Sequence, residues 1–342
     1  MHEPDAGRSA WRDERRVIPP IVHPADVPSA EPWDTLESAM ATTPANPGAA
    51  TPRQSPPPRP RIELVVLALV SMLFLAPGRS TAAPLPIGFA KLRTVAGGGS
   101  IWRGVIPAAG RKSAIYLPPG FTRADRYPVV YLLPGMPGSP WSYVNSLSIG
   151  ALGDSLIARG EARPFIAVSP VAGPSGRYDG EWAGPWEDYL IHRVVPWVDA
   201  HLPTIRAADG RTLAGLSAGG YGAIDIGLRH PLLFGRLESW GGYFRPFADG
   251  PLRGADRRVL AAHDPTLLAR RRAALLRERG VRFFLSSGPG HDKITPAETA
   301  RFAEELRALG LSCRLELLRP QRHIWERQLA AGLRWALAPG LD

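Results

Sequence analysis

The pentapeptide GLSAG, residues 215–219, places a serine where the chemistry of a nucleophile is possible. A strand-like run precedes it and a helical pattern follows it, so Ser217 is predicted to lie on a sharp strand-to-helix turn. Such a turn brings two backbones almost into contact, and Gly215 and Gly219 remove the side chains that would clash there. The amide of Ala218, at the start of the helix, would then face a developing oxyanion. The alternative is a glycine-rich turn with an incidental serine.

An activated serine needs a base, and the base needs an acid to orient it. His323 follows the last predicted strand and precedes the last helix, a position from which an imidazole can reach over the sheet edge to Ser217. Asp292 follows the preceding strand and is the best-placed carboxylate between them. Glu298 is the fallback acid, although with Thr295 it is expected to form a capping box. The alternative for His323 is a histidine that only marks the entry to a helix, and the alternative for Asp292 is an Asx turn.

Two other histidines follow the serine at positions that favour structural roles. His230 ends the helix that starts at the serine, where the helix C-terminus suits an imidazole. His263 directly precedes Asp264, the predicted N-cap of another helix, and is expected at the surface.

A second oxyanion donor is expected in the loop after an early strand, YLLPGM. Pro134 and Pro137 have no N–H, and Gly135 permits the turn. The backbone amide of Met136 is therefore the candidate donor.

Strands alternating with helices predict an α/β fold with a mostly parallel central sheet and helices on both faces. In such a sheet, catalytic groups gather at the carboxyl ends of the strands, and Ser217 obeys that rule. The predicted strands are 113–117, 127–133, 164–168, 211–214, 237–240, 281–286 and 311–318; the predicted helices are 186–201, 221–229, 265–279, 296–309 and 324–337.

Composition divides the chain into three parts. Residues 1–61 are rich in proline and charge and poor in large apolar residues, which predicts a disordered extension. Residues 62–83 contain the apolar run 64–76, preceded by arginines and followed by small residues, which indicates an export signal peptide or an uncleaved signal-anchor. A start at Met40 would give an ordinary signal. Residues 84–342 are long enough for one α/β domain.

Residues 84–342 carry a net charge of +11, which suits an anionic envelope surface. Nucleic acid is disfavoured, because the densest basic run, 270–272, alternates with leucines as the solvated face of a helix would. The single Cys313 excludes an internal disulfide and a multi-cysteine metal site, and it is expected to be buried in a strand. No cofactor motif or metal-ligand spacing is present, so no cofactor and no metal are expected.

Taken together, the motifs resemble the esterase D-like branch of the α/β hydrolases, the family called Putative esterase. It includes S-formylglutathione hydrolases, feruloyl and acetylxylan esterases and antigen 85-type mycolyltransferases. The resemblance implies the α/β-hydrolase fold, a triad of Ser217, Asp292 and His323, and oxyanion amides at Met136 and Ala218. It rests on IYLPPGF (115–121), YPVVYLLPG (127–135), WEDYLIHRVVPWVDAHLP (186–203), LAGLSAGGYGAIDIGLRHPLLFG (213–235), FFLSSGPGHD (283–292) and RHIWERQL (322–329).

Two positions depart from the family pattern. Members usually have His or Asp where this chain has Pro134, and mycolyltransferases carry an arginine where it has Pro137. A mycolyltransferase that handles trehalose is therefore disfavoured, although acyl transfer in general is not. The single cysteine and the predicted export signal also fit poorly with a cytosolic formylglutathione enzyme.

The leading hypothesis is an exported serine hydrolase that cleaves a small-molecule, polysaccharide or lipid ester through an acyl-enzyme. An acyltransferase that moves an acyl group to an envelope sugar or lipid is the second, and a non-catalytic binding module of the same fold is the third. Aromatic side chains near the predicted site are candidates for stacking on substrate, with core packing as the alternative. They are Trp141, Trp186, Tyr221 and Trp240. Nothing in the sequence indicates the oligomeric state.

Overall fold

A computed structural model describes residues 88–108, 112–136, 138–171, 182–289, 295–319 and 324–340. The predicted extension at 1–61 and signal at 62–83 lie outside these residues. Within the described part, no helix is long and apolar enough to cross a bilayer.

Within the described residues, nine strands form one sheet. They are β1 (Phe89–Thr94), β2 (Ser100–Gly104), β3 (Ser113–Leu117), β4 (Val129–Leu133), β5 (Ile166–Ser169), β6 (Arg211–Leu216), β7 (Arg236–Trp240), β8 (Arg282–Ser287) and β9 (Ser312–Leu317). Their order across the sheet is β1-β2-β3-β5-β4-β6-β7-β8-β9. The pairings β1–β2, β2–β3 and β3–β5 are antiparallel, and the remaining five are parallel.

Helices cover both faces of this sheet. They are α1 (Ile149–Ala158), α2 (Pro185–Tyr189), α3 (Val195–His201), α4 (Ala218–Arg229), α5 (Arg257–Ala262), α6 (Pro265–Glu278), α7 (Thr295–Ala308) and α8 (Ile324–Leu337). A π-helical segment, Leu190–Val194, joins α2 to α3, and another, Ser142–Ser146, precedes α1.

The central strands are buried on both faces, because two separate cores sandwich them. Every residue of β4, VVYLL, is buried, and so is every residue of β7. One core joins the sheet to α4, α6, α7 and the α2–α3 segment, and the other joins it to α1 and α8. A parallel sheet needs this double cover, which explains the near-continuous apolar runs in its central strands.

The predicted α/β-hydrolase architecture is confirmed, and each strand and helix predicted from Ser113 onward is present. Four elements were not predicted: β1, β2, α1 and α5. Strand β1, FAKLRT, is exposed except at Phe89 and shows no apolar alternation. Helix α1, IGALGDSLIA, contains two glycines, which weaken a helical pattern, so its contacts with the sheet stabilise it.

Cys313 lies on the edge strand β9 and is half-buried rather than fully buried. An edge strand has a neighbour on one side only, so its side chains are covered less completely than those of β7 or β8. Burial nevertheless raises the pKa of the Cys313 thiol to about 12, which disfavours a reactive thiolate.

We expect Leu333→Ala to lower the free energy of unfolding by about 2–5 kcal/mol, because its fully buried side chain joins α8 to the sheet and would leave a cavity. Leu232→Ala is the matched control, since Leu232 is 63% exposed and its loss should cost less than about 0.5 kcal/mol. Urea unfolding of both variants measures the difference. Equal losses would mean that α8 is not packed on the sheet as described.

Candidate active site

Ser217 lies between the end of β6 and the start of α4 in a strained backbone conformation, with φ 50° and ψ −117°. A non-glycine residue adopts such angles only where its surroundings impose them. Two backbone hydrogen bonds do so here: the N–H of Ser217 donates to the carbonyl of Trp240 (3.0 Å), and its own carbonyl accepts from the N–H of Tyr221 (3.0 Å). The serine therefore occupies the tight strand-to-helix turn that its motif predicts.

The two glycines of the motif lie where a side chain has no room. A Cβ atom at Gly215 would be 2.2 Å from the carbonyl oxygen of Gly219, and one at Gly219 would be 2.0 Å from that of Leu133. Both clashes are with backbone, which cannot turn aside as a side chain can. The start of α4 thus packs directly on β6 and on the end of β4.

The loop that follows β4 lies against the serine. A Cβ at Gly135 would be 3.2 Å from Cβ of Ser217 and 2.9 Å from the carbonyl oxygen of Leu216. The next residue is Met136, whose side chain is 50% exposed. Ala218 is the first residue of α4 and is buried. The structure thus brings the loop of Met136 and the first turn of α4, the two predicted sources of oxyanion donors, to the same serine.

The predicted acid and base, Asp292 and His323, lie outside the described residues, as does Pro137. The described residues that flank 290–294 and 320–323 nevertheless meet. The N–H of Leu318 donates to the carbonyl of Ser287 (2.8 Å), and a Cβ at Gly288 would be 2.4 Å from Cδ1 of Ile324. The described residues on either side of the two segments that carry Asp292 and His323 therefore lie next to each other.

This junction also reaches the residues beside Ser217. The N–H of Gly241 donates to the carbonyl of Ser286 (2.7 Å), and a Cβ at Gly241 would be 3.0 Å from the ring of Trp325. The preceding residue, Trp240, accepts the hydrogen bond from the N–H of Ser217. The carboxyl ends of β6, β7 and β8 and the start of α8 are thus joined around the serine.

His263 is buried, at 7% exposure, so the prediction of a surface position was wrong. Its Nδ1 lies 2.8 Å from Oδ2 of Asp225, a fully buried carboxylate on α4 whose pKa burial raises, with His263 opposing that effect. The hydroxyl of Tyr221 also donates to the backbone carbonyl of His263 (2.7 Å). Sequence reasoning missed the burial of His263 because its partners are distant in the chain: Asp225 is 38 positions away and Tyr221 is 42 positions away. Asp264 does cap α6, accepting from the N–H of Leu267.

His230 at the end of α4 contacts a carboxylate from another helix. Its Nε2 lies 2.7 Å from Oε1 of Glu187, which Arg229 Nε also contacts at 3.0 Å. Burial opposes ionisation of Glu187, but these two partners outweigh it and lower its pKa. The predicted structural role of His230 accords with this pairing.

Three of the four aromatic candidates for substrate stacking are core residues. Trp186 is 5% exposed, and Tyr221 and Trp240 are fully buried. Trp141 is half-buried against the core between the sheet and α8. The burial of Trp186, Tyr221 and Trp240 favours the core-packing alternative for these three. Loop position alone could not separate the two roles, because burial depends on helices distant in sequence.

Glu238 is a buried carboxyl that sequence reasoning missed. It lies on β7 with no exposed surface, and Oε2 accepts a hydrogen bond from the indole N–H of Trp240 (3.1 Å). Within the described part of the chain, Oε1 has no hydrogen-bond partner. Burial raises the pKa of Glu238 to about 8, although Trp240 and Arg236 lower it. A buried carboxyl with a raised pKa thus accepts a hydrogen bond from the side chain of Trp240, the residue whose carbonyl accepts the Ser217 N–H.

We expect Glu238→Gln to flatten the pH dependence of stability. The pKa of Glu238 in the folded protein lies above its ordinary value of 4.5. At a pH between these two values the native state binds a proton that the unfolded chain has released. The free energy of unfolding therefore falls as pH rises, by about 1.4 kcal/mol per pH unit. Glu238→Gln has no such titrating group, so its free energy of unfolding should rise relative to that of the wild type between about pH 5 and about pH 8. Urea unfolding across that range tests this, with the exposed Glu278→Gln as control. Parallel profiles for wild type and Glu238→Gln would contradict it.

No group of three or more histidine, cysteine, aspartate or glutamate side chains is arranged to hold a metal ion within the described ranges. The site as described consists of the serine turn, the loop of Met136 and the converging ends of the strands.

A family model described as Putative esterase matches residues 108–332, which span the serine turn and the segments around it. The chain belongs to this family. It is 33% identical over 133 residues to an endo-1,4-beta-xylanase/feruloyl esterase of Xylanibacter ruminicola, covering 35% of this chain and 18% of that protein. It is 31% identical over 134 residues to an esterase of Mycobacterium tuberculosis, covering 37% of this chain and 28% of that protein. The matches thus span less than a third of either relative.

Solved structures of esterases share the fold. A ferulic acid esterase superposes with a TM-score of 0.59 at 23% identity, covering 70% of this chain and 97% of that one. The S-formylglutathione hydrolase of Staphylococcus aureus superposes with a TM-score of 0.55 at 16% identity, covering 72% of this chain and 98% of that one. At these identities the likeness shows the α/β-hydrolase fold.

Proposed function

We propose that this protein hydrolyses carboxylic esters through an acyl-enzyme formed on Ser217. The observation that carries the proposal is the strained turn of Ser217, with φ 50° and ψ −117°, at the start of α4 and against the loop of Met136. Membership of an esterase family and the esterase names of its relatives support the same chemistry.

In the proposed reaction, Ser217 Oγ attacks the ester carbonyl while His323 takes its proton, and Asp292 stabilises the resulting imidazolium. The carbonyl oxygen becomes an oxyanion, which accepts hydrogen bonds from the backbone amides of Met136 and Ala218. His323 then returns the proton to the departing alcohol, and the acyl group remains on Ser217. Water, activated by the same imidazole, releases the acid and restores the serine.

The convergence around Gly288, Leu318 and Ile324 supports the roles of Asp292 and His323, because it brings the described flanks of both segments together. The fallback acid Glu298 lies within the first turn of α7, where a carboxylate suits the positive end of the helix dipole. Asp292 therefore remains the proposed acid.

The proposed substrates are small-molecule or polysaccharide esters. One relative bears the name xylanase/feruloyl esterase, so ethyl ferulate and a feruloylated xylan fragment are the informative probes beside a simple aryl acetate. Release of the acid alone indicates hydrolysis. Transfer of the acyl group to an added sugar would instead indicate the acyltransferase alternative, and ligand binding without turnover would indicate the binding module.

We expect a fluorophosphonate probe to label Ser217 and the label to vanish in Ser217→Ala. His323→Ala should lower kcat by roughly 10⁶-fold, because the serine loses its base, and Asp292→Asn by about 10⁴-fold, because the imidazole loses the group that orients it. Glu298→Gln is the matched control and should keep activity near that of the wild type. Labelling mapped by mass spectrometry and hydrolysis of p-nitrophenyl acetate provide the measurements. A folded wild-type protein that neither labels nor hydrolyses any probe would refute the proposed activity.

We further propose that the protein is exported, on the strength of the apolar run 64–76 and the arginines before it. N-terminal sequencing of the protein from its native source tests whether this signal is cleaved. A mature start near residue 84 would support cleavage, whereas a start at Met1 or Met40 would contradict it.

A further inference from the structure

Three consecutive carbonyl groups at the end of β4 accept hydrogen bonds from buried side chains. The donors come from three separate segments of the chain: the end of β5, the π-helical segment before α1, and the residues before α2. The bonds are Ser169 Oγ to the Leu132 carbonyl (3.0 Å), Tyr143 Oη to the Leu133 carbonyl (2.9 Å) and Trp182 Nε1 to the Pro134 carbonyl (3.0 Å).

These donors act where the ladder with β5 stops. The register of β4 with β5 ends at Tyr131 opposite Val168, although the pairing with β6 continues to Leu133 opposite Gly215. A strand carbonyl usually bonds to a neighbouring strand, and a buried carbonyl without a partner is costly. Side chains therefore supply the hydrogen-bond donors that β5 no longer provides, at the point where the chain turns toward Ser217.

We propose that Ser169, Tyr143 and Trp182 are positioning residues that hold the Met136 amide in place as an oxyanion donor. The inference rests on the proposed function, which assigns that amide its role. Tyr143 and Trp182 are fully buried and Ser169 is 2% exposed, so they act through the loop rather than by touching a substrate.

The physical reason lies in the rigidity of the peptide plane. Because each peptide unit is planar, fixing a carbonyl also fixes the N–H across the same bond. Holding the Pro134 carbonyl therefore orients the plane up to Gly135, and only φ and ψ of Gly135 separate that plane from the Met136 amide. Glycine is the residue with the widest choice of φ and ψ, so this position most needs its neighbours held.

The start of α4 confines the same two carbonyls from another side. A Cβ at Gly219 would lie 2.0 Å from the Leu133 oxygen and 2.7 Å from the Pro134 oxygen. Helix α4 thus packs on the peptide groups that Tyr143 and Trp182 hold. The loop is held between donors and helix, and the position of Met136 relative to Ser217 follows from both.

Two pairs of variants test the proposal. Tyr143→Phe removes one oxygen and leaves the ring, and Tyr189→Phe is its control, because the buried Tyr189 hydroxyl also bonds to a backbone carbonyl, that of Ile106 (3.3 Å). Trp182→Phe removes the indole N–H, and Trp102→Phe is its control, because the Trp102 indole bonds to Ser100 on β2, which two other strands separate from β4.

We expect Tyr143→Phe and Trp182→Phe each to lower kcat for p-nitrophenyl acetate about tenfold, with KM within about twofold of the wild type. Complete loss of an oxyanion donor costs about 10²–10³-fold in kcat, and a misplaced donor should cost less. The inhibition constant of an aryl trifluoromethyl ketone, which forms an oxyanion on the serine, should rise by the same factor as kcat/KM falls. A purely structural role would not link these two quantities.

The outcomes separate the two proposals. A wild-type enzyme that labels and hydrolyses, with Tyr143→Phe and Trp182→Phe no slower than their controls, overturns the positioning role and leaves the esterase intact. Equal losses in the controls overturn it as well. A wild type without labelling or hydrolysis overturns the proposed function, and the positioning role with it. If Trp182→Phe does not fold, Tyr143→Phe decides alone, since it changes a single atom.

Discussion

The close approach of three backbones at Ser217 is the constraint on which the rest of this structure depends. The end of β4, the end of β6 and the start of α4 meet with no side chain between them, and Gly215, Gly219 and Gly135 are the residues that allow it. As a result, Ser217 has strained backbone angles, which the surrounding hydrogen bonds and packing must maintain. The helices on both faces supply that packing.

Buried polar groups lie on β7 and α4, the two elements that bond to or continue from Ser217. Glu238 lies under Trp240, whose carbonyl accepts the Ser217 N–H. Asp225 and His263 secure α4 to the segment before α6. Burying such groups costs free energy, which their hydrogen bonds offset in part.

The departure from the family pattern at Pro134 is consistent with this arrangement. The resemblance leads one to expect His or Asp at that position, yet the group that Trp182 contacts is the carbonyl, which proline retains. What proline lacks is an N–H, and a donor there is not needed if Met136 supplies the amide.

The sequence by itself determined the alternation of strands and helices, the mostly parallel sheet and the serine turn, because each leaves a local pattern of apolar residues and glycines. Strand β1 and helix α1 escaped prediction because sheet pairing and core packing stabilise them more than local pattern does. Only the tertiary structure decided that His263 is buried on Asp225, that Trp186, Tyr221 and Trp240 are core residues, and that Tyr143 and Trp182 hold the loop of Met136. Those contacts join residues far apart in the chain, and no local pattern encodes which distant groups the sheet will bring together.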